Sequence, residues 1–68
     1  MKRGGKDEVV RLPDGGTVEA FYAYDGEDCW IVVRFDAGHN QVDREAPTFY
    51  TKAEAMREVR RIVREALK

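Results

Sequence analysis

Residues 52 to about 67 constrain the chain most, because their pattern fits one arrangement: an amphipathic α-helix. Thr51 is a good N-cap and Glu54 follows three residues on, which is the spacing of a capping box. At 100° per residue, Ala55, Met56, Val59, Ile62, Val63, Ala66 and Leu67 share one arc of about 140°. Arg57, Arg60, Arg61, Arg64 and Lys68 fall on the opposite side within about 100° of one another. Glu54, Glu58 and Glu65 lie between the two arcs, with Glu58–Arg61 and Arg61–Glu65 at spacings that allow local pairs. Such a helix must bury its apolar arc against something, and the rest of the chain has to supply it.

The remaining residues read as β-structure punctuated by turns. Residues 1–6 are expected to be a flexible polar leader, followed by a single domain over 7–68. Glu8–Leu12 is a short strand candidate that stops at Pro13-Asp14-Gly15-Gly16, a tetrad with a fixed φ, an Asx acceptor and two permissive residues. Thr17–Tyr24 and Cys29–Phe35 are rich in β-branched and aromatic residues, with the turn Asp25-Gly26-Glu27-Asp28 between them. Asp36–Asn40 is a further turn. Pro47 limits 41–50 to an edge strand or an extended connector. The expected fold is α+β: a small antiparallel sheet of three strands, or four if 41–50 pairs, with the C-terminal helix on one face (β-β-β-α).

Placing Gly26-Glu27 at the tip of the central hairpin pairs residue i with 53 − i. Tyr22, Tyr24, Cys29, Ile31, Ala20, Val33, Val18 and Phe35 then lie beneath the helix. Phe21, Trp30 and Val32 lie on the other face, near Val10 or Leu12, with Glu19 opposite Arg34. A chain of 68 residues buries only about 60% of its unfolded surface and has one helix to offer, so one sheet face is expected to be bare and apolar. Phe21, Trp30 and Val32 are therefore candidates for a protein-interaction or homodimer surface. The alternative is that residues 1–12 or 41–50 fold back over them.

Most site chemistry lacks its ingredients. There is no serine, and the lone His39 sits in a turn while the lone Cys29 sits in a strand, so a packed thiol and a solvated histidine are the simpler reading than a nucleophile–base pair. One His and one Cys cannot form a structural zinc site. The Asp25–Asp28 turn lacks the spacing and distal Glu of a calcium loop. Gly4-Gly5-Lys6 and Gly15-Gly16 do not open a helix as a phosphate loop would. The chain is expected to be non-enzymatic, with no cofactor and no metal. No apolar run suggests a signal or a span, and one cysteine forms no internal disulfide, so a reducing cytoplasm is the expected location.

Charge is distributed unevenly. Residues 1–50 carry ten acids against six bases, whereas residues 51–68 carry six bases against three acids. A basic helix on an acidic sheet can orient a charged partner.

From Cys29 to about Ala66 the chain resembles the small arm-type DNA-binding domain at the N-terminus of many tyrosine recombinases. The residues that carry the likeness are Trp30-x-Val32 on a strand, Gly38 in a turn, and Phe49-x-Thr51-Lys52-x-Glu54-Ala55 leading into the helix. The resemblance implies a three-stranded sheet against one helix, with the sheet reaching into a DNA groove. This chain has Asp36, Asp43 and Glu45 on the corresponding segments, with only Arg34 and Arg44 basic, so phosphate contact is expected from the helix instead.

The leading expectation is a small binding module in nucleic-acid transactions, an accessory or regulatory protein of the phage or mobile-element type. Arg57, Arg60, Arg61, Arg64 and Lys68 would contact phosphate. The second is a protein-binding inhibitor or adaptor, such as an anti-defence or anti-CRISPR-like protein. There Asp25, Glu27, Asp28, Asp36, Asp43 and Glu45 would mimic a nucleic-acid backbone, and Trp30 would be the anchor. Its partner would be a nucleic-acid-handling protein. A homodimer through the bare sheet face fits either reading, and no membrane partner is expected.

Overall fold

A computed structural model describes residues 2–24 and 26–68, with side chains from Glu8 onward apart from Asp25. Four antiparallel strands, β1 (Lys2–Arg11), β2 (Thr17–Tyr24), β3 (Asp28–Phe35) and β4 (Thr48–Phe49), are followed by the helix α1 (Lys52–Ala66). The strands lie in chain order, β1-β2-β3-β4, so the sheet is a simple meander. The helix packs back across one face and touches β2, β3 and β4.

Strand β1 begins earlier than the expected Glu8, and pairing with β2 reaches back to Lys2, inside the segment read as a leader. Its register against β2 shifts twice, between Arg3 and Lys6 and again between Lys6 and Glu8. The first shift spans Gly4-Gly5, where the missing Cβ atoms ease an extra residue into the ladder. The first turn forms as its residues suggest. The Asp14 carboxylate accepts from the Gly16 amide at 2.8 Å, while Leu12 and Gly16 close the loop through their backbones at 2.9 Å.

The central hairpin differs from the sequence expectation by one residue. Tyr24 pairs with Asp28, so the tip spans three residues and residue i pairs with 52 − i. Gly26, at φ 81°, supplies the left-handed conformation that this longer tip uses. Because side chains alternate with period two, a slip of one residue inverts one strand relative to the other. The sides expected for β2 hold, and those for β3 are reversed. Trp30 and Val32 face the helix, as do Val10 and Leu12, whereas Cys29, Ile31, Val33 and Phe35 face away. Arg34 pairs with Val18 rather than Glu19, and it reaches the Asp14 carboxylate at 3.6 Å.

Val18, Ala20 and Val32 on the sheet meet Ala55, Val59 and Ile62 on the helix, joined by Leu12 from the first turn. Ala20, Val18 and Ala55 are wholly buried. Small side chains at the contact let the helix axis approach the sheet closely, and Trp30, Phe49, Met56 and Val63 fill the margins. The alternative register would have set Ile31, Val33 and Phe35 beneath the helix.

Beyond β3, Asp36 organises a turn by accepting from the amides of Gly38 and Asn40, each at 2.9 Å. His39 occupies a left-handed conformation there, at φ 65°, and stacks on Phe35 with ring centroids 4.8 Å apart. Gln41 bridges back to Phe35 and the Val42 amide donates to the Arg34 carbonyl at 2.9 Å, residues 43–46 bow away from the sheet, and pairing resumes at Thr48 and Phe49 against Ile31 and Trp30. Pro47, which has no amide hydrogen to donate, accepts from the Val32 amide at 3.2 Å. The 41–50 segment is thus an edge strand of two residues, a length that limits pairing with other chains.

Candidate nucleic-acid interface

The helix starts where its cap dictates. The Glu54 amide donates to the Thr51 hydroxyl oxygen at 3.2 Å, and that hydroxyl donates to the Glu54 carboxylate at 2.9 Å. The apolar arc is fixed beneath by Ala55, Val59 and Ile62, so the opposite arc must project into solvent. Arg57, Arg60, Arg61, Arg64 and Lys68 are all exposed.

These five cations are not equivalent. Arg61 grips Glu58 through two parallel bonds, Nε to Oε1 at 2.9 Å and Nη2 to Oε2 at 2.6 Å. The hydrogen bond from Arg61 holds the Glu58 carboxyl below its ordinary range, and the same bond raises the Arg61 guanidinium, with smaller help from the charges of Glu58, Glu65 and Asp43. Among the described residues, Arg57, Arg60, Arg64 and Lys68 make no ion pair and donate to no carboxylate. They are the charges available to an anionic partner.

A shallow groove of about 360 Å³ runs along this side of the helix, lined by Phe49, Glu54, Arg57, Glu58, Arg61 and Arg64. Pairing of Phe49 with Trp30 puts it on the helix side of the sheet, where it touches the core and also lines the groove. The structure thus brings Arg57, Arg61 and Arg64 together around an aromatic residue, while Arg60 and Lys68 lie outside the groove lining. The contribution of Phe49 was not identified from the sequence. The signal was present in its position two residues before the N-cap, which carries a strand-end side chain to the first turns of the helix.

The sheet residues singled out from the sequence are dispersed. Phe21 does lie on the face away from the helix, paired with Ile31. Trp30 and Val32 do not, and this corrects the expected Phe21/Trp30/Val32 patch. Val32 is 2% exposed in the core, and Trp30 packs against Tyr22 with ring centroids 5.3 Å apart. The face away from the helix instead carries Phe21, Ile31, Val33 and Phe35, each half-buried, with exposed Val9 beside them. Cys29, expected in the core, lies on this face as well, and its thiol approaches the Ala23 carbonyl oxygen at 3.5 Å. Glu19, at the centre of the same face, is 2% exposed and accepts from the Thr17 hydroxyl at 3.0 Å.

The acidic groups are also spread out. Glu27 and Asp28 are exposed at the hairpin tip, where Asp28 accepts a hydrogen bond from the Tyr22 hydroxyl. That bond is the main cause of a raised Tyr22 pKa. Asp25 lies outside the described residues. Asp36 is occupied by its own turn, and Asp43 and Glu45 sit on the exposed bow between β3 and β4. Among the described residues no group of three or more His, Cys, Asp or Glu is placed to hold a metal ion. No helix among them is long and apolar enough to cross a membrane.

Comparison with known proteins adds no relative to this geometry: no protein-family model, curated protein or solved structure matches the chain.

Proposed function

We propose that the protein is a non-enzymatic binding module that docks on nucleic acid through the outer arc of its C-terminal helix, as an accessory factor of the phage or mobile-element type. The observation that carries this reading is the set of exposed cations without carboxylate partners, Arg57, Arg60, Arg64 and Lys68, on a helix whose orientation is fixed by its buried arc. Arginine and lysine neutralise phosphates and release condensed counterions, so affinity depends on salt. On a single-stranded oligonucleotide, four phosphate contacts predict a slope of about −2.8 in log K against log salt, or roughly a 50-fold loss between 50 and 200 mM. A fluorescence titration of a labelled oligonucleotide across that range tests the reading. Absence of binding at the lowest salt would end it. The likeness to the recombinase arm domain is compatible with a nucleic-acid role, but the docking element would be the helix rather than the acidic sheet.

One observation favours a second reading, in which the protein binds another protein or a second copy of itself. The face away from the helix carries Phe21, Ile31, Val33 and Phe35, each half-buried, and Val9 beside them is 46% exposed. An antiparallel sheet that faces water usually alternates to polar residues on that side. Sedimentation at two concentrations reads this directly: self-association that the Ile31→Lys variant abolishes supports it, and a monomer at both concentrations removes the second-copy form.

A further inference from the structure

The groove beside the helix combines features that a phosphate stripe alone does not need. It has room for a small planar group, at about 360 Å³, and Phe49 forms part of its wall. Arg57 and Arg64 stand on its helical side, two turns apart. Of the two carboxylates in the lining, Glu58 is offset by its ion pair with Arg61, whereas Glu54 accepts from the neutral Thr51 hydroxyl. An anion can therefore meet Arg57 and Arg64 while an aromatic or heteroaromatic ring meets Phe49.

We infer that this groove takes a nucleobase of a single-stranded nucleic acid, with the base against Phe49 and its flanking phosphates on Arg57 and Arg64. The inference rests on the nucleic-acid reading above and narrows it. In a duplex the bases are stacked and paired inside the helix, so only the phosphate stripe could engage. In a single strand each base has a free π-face, and stacking on an aromatic side chain adds affinity with little sequence preference. Glu54 lines the same space, and its carboxylate oxygen not engaged by Thr51 can accept from an exocyclic amino group. The groove would then favour the amino-bearing bases adenine, cytosine and guanine over uracil and thymine.

The test is a fluorescence-anisotropy titration of the full chain at low salt with four probes of equal length: single-stranded DNA, single-stranded RNA, duplex DNA, and an abasic single strand that keeps the phosphates. Base insertion predicts that the base-bearing single strands bind roughly five-fold or more tighter than the abasic strand. The Phe49→Leu variant, chosen to keep an apolar side chain against the core, should close most of that gap and leave duplex binding unchanged. Circular dichroism confirms that the variant is folded. A variant that is unfolded is replaced by Phe49→Met and read in the same way. The DNA and RNA arms show which backbone is preferred. Equal binding of base-bearing and abasic strands overturns the inference and leaves the phosphate reading standing. Failure of all four probes to bind overturns both.

Discussion

At Gly16 the backbone of the first turn runs so close to β3 that a Cβ there would sit 2.2 Å from the Phe35 carbonyl oxygen. The obstacle is main chain, which cannot rotate aside, so Gly16→Ala is expected to cost about 1–3 kcal/mol. Gly26 poses a different constraint. Nothing lies within 4 Å of its Cβ position, and the cost of Gly26→Ala comes from φ 81° alone, about 1–2 kcal/mol. Urea unfolding should show a lowered midpoint for both variants, and amide NMR separates them, because only Gly16→Ala should perturb the shifts around Phe35. A Gly16→Ala protein with unchanged stability would contradict the close approach.

On the helix, the Glu58–Arg61 pair has a predictable response to pH. Its hydrogen bond lowers the Glu58 pKa from the ordinary 4.5. A lowered folded-state pKa contributes stability above the unfolded value, and that contribution is lost as pH falls through the lowered one. Wild type should therefore lose more thermal stability than Glu58→Gln when the pH drops from about 6 to 3. Equal losses would mean that the pair is not formed in solution.

This helix was the most legible element of the chain. Its cap, its arcs and its cation stripe all followed from spacing, because the 3.6-residue period and the Thr51–Glu54 box are local properties. The β3 faces were not legible. Both registers of the hairpin place apolar residues on both sheet faces, so alternation could not choose between them. The choice rests on a three-residue tip, which puts Trp30 and Val32 rather than Ile31 and Val33 on the helix side. The groove was hidden as well, since Phe49 reaches the helix only once β4 has paired with Trp30.

Taken whole, the molecule has two dissimilar exteriors. One is the cationic outer arc of the helix, and the other is the apolar sheet face turned the opposite way. On the proposed reading nucleic acid meets the first and protein contact falls to the second, so the two surfaces should respond independently. The most direct measurement is an NMR titration of the isotope-labelled protein with a short oligonucleotide at low salt, following each backbone amide. Shifts concentrated on Arg57, Arg60, Arg61, Arg64 and Lys68, with Phe21, Ile31 and Val33 unmoved, are the predicted result. Shifts concentrated on those sheet residues, with the helix silent, would contradict the account.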